Sequence, residues 1–225
     1  MDTSDVEFVI NPYDEYAIEQ AAQLKEKHGG EVTAIVIGPE KSTTVIQKIL
    51  ALGIDKAVHL KTTSLTMDSS GIAKVLADEL KQHEFDIVLF GKKGVDDDNQ
   101  QVGTMVSELL GIPCVTQIVK LEISNNNKAT AQREVEGGAL LVETFLPAAF
   151  TAEKDLTIPR YASLRELVAA RKKPIIVKDV QVPEPILQIV SVDPPPPRPP
   201  GKIIGKGVEA VPTLVQLLHE EAKVI

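Results

Sequence analysis

The chain has 225 residues, of which 43% are hydrophobic, so it can form a core for one sizeable domain with an appendage or for two small domains. Its net charge of −8 and its low aromatic content, with no Trp, argue against the basic stripe or stacking platform of a nucleic-acid-binding protein. One cysteine excludes an internal disulfide framework, and the lack of a secretory signal or a long apolar run predicts a soluble intracellular protein without a membrane span.

Strand and helix signals alternate through the first half of the chain. Residues 6–10 are strand-like, and Asn11 before Pro12 predicts a helix start, with Asn as the cap and Pro in the first helical position. Further strands are predicted at residues 31–37, 56–60 and 85–90, and further helices around residues 45–50, from residue 68 or 69, and up to Gly111. This alternation favours right-handed crossovers and a mostly parallel sheet flanked by helices.

The pattern changes after Pro113. Three strand-like runs with short turns between them predict an antiparallel meander, at residues 115–123, 129–135 and 139–145. Residues 147–151 can return to the main sheet. Ser163 with Glu166 forms a capping box that predicts a helix start, and a last strand follows at residues 175–178. We therefore predict an α/β fold with a nucleotide-binding sheet and an added meander.

The composition shifts again near residue 183. Eight of the 15 prolines lie between residues 183 and 200, which predicts an extended arm. The final helix, at residues 212–223, carries an apolar side formed by Leu214, Leu217 and Leu218. We divide the chain into an α/β domain, residues 1–182, and an arm with its helix, residues 183–225. The apolar side packs either on its own domain or on a partner subunit, and we favour the partner.

The segment with the clearest functional signal is GKKGVDDDNQQVG, residues 91–103. It joins a buried strand to an amphipathic helix, so it presents backbone N–H groups at the carboxyl end of a strand, where α/β sheets bind phosphate-bearing ligands. Gly91 and Gly94 allow a close approach to a ligand. The alternative is a solvated loop in which Asp98 or Asn99 only caps the helix. We expect no metal site, because consecutive aspartates cannot easily aim three carboxylates at one ion.

An ordered set of motifs resembles the beta subunit of electron transfer flavoprotein. The matching segments span nearly the whole chain and are residues 11–13, 25–30, 91–103, 133–138, 146–148 and 159–164. The resemblance implies an α/β nucleotide-binding fold and a heterodimer with an alpha subunit that holds most of the FAD. It also implies a buried AMP without a redox role. Electrons would pass from acyl-CoA or other dehydrogenases to a quinone oxidoreductase.

The resemblance also assigns residues to roles. The nucleotide would be held by Asn11, Pro12, Tyr13, Asp14, Ile37, Gly91, Lys92, Lys93, Gly94, Val95, Asp96, Asp97, Asp98, Asn99, Gln100, Gln101 and Val102. A loop from residue 154 to residue 163 resembles the family's recognition loop for partner dehydrogenases. Leu164 would be its anchor, with Arg160 and Tyr161 beside it, although an apolar residue at this position can also pack on its own domain. A bacterial or archaeal protein would be cytoplasmic, and a eukaryotic one would lie in the mitochondrial matrix.

Other interpretations remain. A second branch of the family bifurcates electrons with another FAD in place of AMP; Asp97 favours the AMP form, whereas residues 101–103 resemble the bifurcating form. Family members begin with a strand ahead of the Asn-Pro turn, and here ten residues precede Asn11, so that strand is expected to be missing. A nucleotide-binding protein of the universal-stress type would have a similar fold but would not explain the proline-rich arm. We see no acid–base constellation and expect an electron carrier rather than an enzyme.

Overall fold

The computed structural model describes residues 7–64, 67–124, 127–191, 193–198 and 200–225. The predicted alternation of helix and strand is present in the first half, as α1 (Pro12–His28), β1 (Thr33–Gly38), α2 (Thr43–Ala51), β2 (Lys56–Lys61), α3 (Ser69–Leu80), β3 (Ile87–Gly91) and α4 (Val102–Leu110). The strand predicted at residues 6–10 is wrong over its described part, residues 7–10. Phe8 and Ile10 instead pack their side chains against the core around α2 without joining a sheet.

The second half supplies most of the remaining strands. It contains β4 (Cys114–Ser124), β5 (Lys128–Val135), β6 (Gly138–Phe145), β7 (Ala148–Ala152), α5 (Leu164–Ala170), β8 (Ile175–Asp179) and α6 (Val211–Glu220). The strands β4, β5 and β6 pair antiparallel, which confirms the predicted meander. β7 lies between β3 and β4 and is parallel to both, so the segment after the meander returns to the sheet as expected.

The strands form two hydrogen-bonded sheets, which the sequence does not reveal. The first is parallel throughout, in the order β1-β2-β8, and the second is mixed, in the order β3-β7-β4-β5-β6. Helices cover both sheets, which confirms the predicted α/β class. The carboxyl ends of the parallel strands β3 and β7 lie side by side, and they reach the level of Ile118 in the middle of β4, so the residues that follow these ends lie close to this part of β4.

Helix α1 contributes to the cores of both sheets. Ala17 packs in the core that contains Phe150 of β7, whereas Ile18 and Ala21 pack against the core around α2. Small side chains on several sides of α1 permit this close packing, and α1 also buries two polar residues, Glu19 and Gln20. The helix therefore connects the part of the chain around β3 with the part around β1.

Another buried carboxylate ties α3 to the edge strand β8. Glu79 is only 3% exposed, and its oxygens accept hydrogen bonds from Lys178 Nζ at 2.7 and 2.8 Å and from His83 Nε2 at 2.7 Å. Burial raises the pKa of the Glu79 carboxyl, but the contacts with Lys178 and His83 outweigh burial and leave the pKa below its ordinary value. Glu79 therefore stabilises the fold in its ionised form.

We expect this cluster to give the protein a measurable sensitivity to acid. Because the pKa of Glu79 is lower in the folded than in the unfolded chain, its contribution is present above the ordinary glutamate value of 4.5 and is lost as pH falls through the folded value. Urea unfolding over this pH range should show a smaller loss of unfolding free energy for Glu79→Gln than for the unchanged protein. Asp78→Asn, which alters an exposed neighbour, is the control. Identical pH profiles for all three proteins would contradict the assignment.

Residues 189–225 form a separate compact unit, whereas the sequence suggested a boundary after residue 182. Its helix α6 begins and ends within three residues of the predicted bounds, with Pro212 in the first turn. Apolar side chains of α6 remain exposed, including Leu214 at 43% and Val215 at 48%. No described helix combines the length and the apolar character needed to cross a membrane.

Candidate functional site

The segment singled out in the sequence lies between β3 and α4, as predicted. β3 ends at Gly91 and α4 begins at Val102, so residues 92–101 form a loop, called the nucleotide loop after the role that the resemblance implies. Asp98 and Gln100 have φ values of 58° and 56°, in the left-handed region that non-glycine residues seldom adopt. Such strained backbone is often found at functional sites, where the surrounding structure holds it in place.

Asn11 and Asp14, at the start of α1, bind the first half of this loop and the end of β3. The Asn11 side chain donates from Nδ2 to the Lys93 carbonyl oxygen at 2.9 Å and accepts at Oδ1 from the Val95 N–H at 3.2 Å. Asp14 Oδ1 accepts from the Gly91 N–H at 2.8 Å. The structure thus brings together two segments that the resemblance assigned to one nucleotide site. The expected cap is wrong in part, because the Asn11 side chain makes no capping bond to α1.

Gly91 is required by this close contact. A Cβ atom at Gly91 would lie 2.8 Å from the Asp14 nitrogen and 2.9 Å from the Tyr13 carbonyl carbon, both of which are backbone atoms of α1. At Gly94, a Cβ atom would instead meet the carboxylate oxygens of Asp96 and Asp97, which are exposed and can move. Gly91 therefore permits the close contact between β3 and α1, and the close approach to a ligand that the sequence suggested for both glycines stays a prediction.

The two lysines of the loop are paired with carboxylates. Lys92 Nζ lies 2.5 Å from Glu153 Oε2, and Lys93 forms an ion pair with Asp98. Hydrogen bonding to Asp98 raises the pKa of Lys93. Both ammonium groups lie 5.8 Å from the centre of the Tyr13 ring, within the range of a cation–π contact. Both ammonium groups of the loop are therefore occupied by contacts within the chain.

The acidic residues stabilise the loop itself. Asp96 Oδ1 accepts from the Asp97 N–H at 3.0 Å, and the two carboxylate oxygens of Asp97 accept from the backbone N–H and the side-chain amide of Asn99 at 3.2 and 3.1 Å. Neither Asp98 nor Asn99 caps α4, whose cap position is occupied by Gln101 without a side-chain hydrogen bond to the helix. Within the described ranges, no group of His, Cys, Asp or Glu is arranged to hold a metal ion.

Ile37 lies in the other sheet. It is the second-last residue of β1 and is in register with Leu60 of β2. No hydrogen bond between described residues joins Ile37 to the nucleotide loop. Its contact with a nucleotide stays a prediction from the resemblance.

Three further residues at this edge were not found from the sequence. Gln117 lies in a bulge of β4 with φ 57°, donates its backbone N–H to Thr151 Oγ1 at 2.8 Å, and donates from Nε2 to Gln100 Oε1 at 2.9 Å. Thr151 lies in β7. Glu153, which pairs with Lys92, is the first residue after β7. They reach the loop because β7 lies between β3 and β4, an arrangement that only the strand order reveals.

The residues predicted to contact a partner protein lie in the loop after β7 and at the first position of α5. Tyr161 is 99% exposed and Leu164 is 79% exposed, so Leu164 does not belong to the core of its own domain. The predicted capping box is present: Ser163 Oγ accepts from the Glu166 N–H, and Glu166 Oε2 accepts from the Ser163 N–H at 2.7 Å. Arg160 differs from its two neighbours, because its guanidinium binds two glutamates of α1.

Comparison with known proteins identifies the family. A family model described as the electron transfer flavoprotein domain matches residues 1–183. The chain is 42% identical to the electron transfer flavoprotein subunit beta of Bacillus subtilis, over 97% of this chain and 89% of the relative. It is 35% identical to the mitochondrial subunit beta of Arabidopsis thaliana, over 100% and 90% of the two chains. The chain therefore belongs to the electron transfer flavoprotein family, and it is similar to the beta subunits along nearly its whole length.

Proposed function

We propose that this chain is the beta subunit of a heterodimeric electron transfer flavoprotein that holds AMP in the site formed by residues 11–14 and the nucleotide loop. Its alpha subunit would contribute most of the binding site for FAD, which carries the electrons. The heterodimer would accept electrons from acyl-CoA dehydrogenases or other dehydrogenases and pass them towards a quinone oxidoreductase. The chain's own residues would hold the nucleotide and present a docking surface, so it acts as an electron carrier subunit.

One observation carries the nucleotide assignment. The side chains of Asn11 and Asp14 bind Gly91, Lys93 and Val95, and so hold the first half of a strained loop that follows a parallel strand, although residues 11 and 95 are far apart in sequence. A solvated helix cap would not need this long-range arrangement. The observation therefore favours a ligand site over the simple cap that the sequence left open.

Unpaired donors at the start of α4 suit a phosphate. The first N–H groups of a helix have no acceptor within that helix, and Gln101 at the cap position of α4 supplies none from its side chain. The helix dipole adds a favourable field for an anion. Residues 102–104 would thus bind the phosphate through backbone N–H groups, while Lys92 and Lys93 remain paired with carboxylates.

The test is the nucleotide content of the complete heterodimer. We expect the protein purified with its alpha subunit to show flavin absorption bands and to release one FAD and one AMP on denaturation. Release of two FAD and no AMP would show that the protein is of the electron-bifurcating form, in which a second FAD takes the place of AMP. ATP bound to the chain alone, with no flavin partner, would overturn the proposal in favour of a protein of the universal-stress type.

The C-terminal unit is proposed to bind the alpha subunit. Exposed apolar residues on a short helix need a hydrophobic surface, and α6 carries several of them. Removing residues 189–225 should weaken binding of the alpha subunit by about tenfold or more, which corresponds to roughly 1.4 kcal/mol. The three core clusters lie within residues 8–175, so the helix content of the remaining chain should persist.

A single substitution distinguishes loss of the apolar contact of α6 from loss of the whole arm. Leu214→Asp keeps the whole arm but places a charge on the exposed side of α6, and it should weaken binding of the alpha subunit in the same direction. His219→Gln, on the same helix, is the polar control. Titration of the alpha subunit with each variant measures the effect, and unchanged affinity after the deletion would contradict this role of the unit.

A further inference from the structure

The loop that joins β7 to α5 exposes unusually large apolar side chains. Within residues 154–163, which we call the recognition loop, Ile158 is 89% exposed and Tyr161 is 99% exposed, and Leu164 follows directly. Loops that expose so much apolar surface lose their shape easily, because few contacts oppose the conformational entropy of the chain. The contacts that fix this loop therefore determine how Leu164 is presented.

Arg160 makes most of those contacts. Its Nε donates to Glu19 Oε2 at 2.7 Å and its Nη2 donates to Glu19 Oε1 at 3.0 Å, so the guanidinium binds this carboxylate at both oxygens. Nη1 and Nη2 also donate to the two oxygens of Glu26, at 2.5 and 3.2 Å. Glu19 and Glu26 are seven residues apart, which places them on the same face of α1 two turns apart. The planar fork of arginine matches this arrangement, whereas a lysine would not.

The receiving carboxylate is held rigidly. Glu19 is buried, and its Oε1 also accepts from Gln23 Nε2 at 2.7 Å, while its Oε2 accepts from the Arg160 backbone N–H at 3.3 Å. Burial raises the pKa of the Glu19 carboxyl, but the hydrogen bonds from Arg160 and Gln23 outweigh it and lower the pKa. The carboxylate is therefore ionised at neutral pH. Removing the cation that pairs with a buried carboxylate leaves an uncompensated charge and is strongly destabilising.

A second contact holds the same loop to the same helix. Thr157 Oγ1 donates to the Tyr16 carbonyl oxygen at 3.2 Å, and Leu156 is buried in the core of the second sheet. The capping box then fixes the start of α5 at residues 163–166. The loop is thus attached at residues 156, 157, 160 and 163, while Ile158 and Tyr161 lie between the attached positions and face solvent.

We infer that Arg160 is a positioning residue that holds the recognition loop in its docking shape and does not itself bind the partner. This inference rests on the proposed function, with Leu164 as the anchor for a dehydrogenase that the resemblance implies. A loop that is already ordered avoids the entropy cost of being ordered on binding, and this gain raises affinity without any new contact. Arg160 was expected from the resemblance to lie among the docking residues; here it acts through Leu164.

The test uses the FAD-loaded heterodimer and a purified acyl-CoA dehydrogenase. Arg160→Met should raise the apparent KM of the dehydrogenase for the heterodimer by about tenfold, with a smaller change in kcat, and Arg160→Lys should restore part of the loss. Arg171→Met removes an exposed arginine beyond the end of α5 and is the matched control, with no expected change. An unchanged KM for Arg160→Met would overturn the inference.

A double variant separates this inference from the proposed function. If Arg160 acts through Leu164, adding Arg160→Met to Leu164→Ala should raise KM little beyond the effect of Leu164→Ala alone, whereas two independent contacts would multiply their effects. Full multiplication would therefore show that Arg160 binds the partner directly and overturn the inference. If Leu164→Ala itself leaves KM unchanged, the proposed docking function fails first.

Hydrogen exchange distinguishes positioning from general stability. In Arg160→Met, amides of the recognition loop should exchange faster, while those of β3 and β7 and the nucleotide content should not change. Faster exchange throughout the domain together with loss of nucleotide would show a general structural role, and the positioning role would then be wrong.

Discussion

Replacing Gly91 with alanine is expected to lower the free energy of unfolding by roughly 3 kcal/mol, combining about 2 kcal/mol for overpacking with about 1 kcal/mol for a lost hydrogen bond. The added methyl group would lie 2.8 and 2.9 Å from backbone atoms of Asp14 and Tyr13, so the first turn of α1 must move away from β3. That movement breaks the bond from the Gly91 N–H to Asp14. It also displaces Asn11, so most of the bound nucleotide should be lost.

Gly94→Ala is the matched control for Gly91→Ala. Its methyl group would contact only the exposed carboxylates of Asp96 and Asp97, so stability should stay near that of the unchanged protein, whereas the nucleotide content of Gly91→Ala is compared with that of the unchanged protein. Denaturant unfolding measures the first quantity, and chromatography of the released nucleotide measures the second. Normal values of both for Gly91→Ala would show that the contact between α1 and β3 does not support the site.

The second large effect is expected for Leu164→Ala in docking of a dehydrogenase. Leu164 is 79% exposed, so its truncation removes almost no contact within the chain and should leave the unfolding transition unchanged. An apolar side chain at the centre of a small interface contributes about 2 kcal/mol, or roughly a 30-fold rise in apparent KM. Stopped-flow reduction of the heterodimer by an acyl-CoA dehydrogenase measures this rise.

The control for Leu164→Ala is Leu141→Ala, which removes the same atoms from another surface. Leu141 is 72% exposed on β6, in the meander rather than beside the recognition loop. Its substitution should leave the KM for the dehydrogenase unchanged. If both variants alter KM equally, or if Leu164→Ala lowers stability without altering KM, the docking role of Leu164 is wrong.

Local signals in the sequence predicted most helix and strand positions. Pro12 starts α1, Asp68 caps α3 by accepting from the Gly71 N–H at 2.8 Å, and Ser163 forms its capping box, as expected. Each of these signals depends on residues within one helical turn, which the sequence displays directly. The strand order and the return of residues 148–152 between β3 and β4 depend on distant pairings.

The sequence predicted which segments form the candidate site, but it did not predict the contacts between them. Asn11 looked like a helix cap, but its side chain binds a loop more than 80 positions away, where it pairs the Lys93 carbonyl oxygen and the Val95 N–H. Gln117 and Thr151 carried no motif at all. Their position near the loop follows from the strand order β3-β7-β4, which the sequence does not display.

Helix α1 has a mechanical consequence for the proposed electron carrier. It spans about 25 Å, with its first turn bonded to the nucleotide loop and Glu19 and Glu26 bonded to the recognition loop. Under the proposed function, a nucleotide that steadies the first turn would also steady the helix to which the recognition loop is bonded. By thermodynamic linkage, a docked dehydrogenase would then tighten nucleotide binding by the same factor. A nucleotide with no redox chemistry would in this way limit the motion of the recognition loop without contacting it.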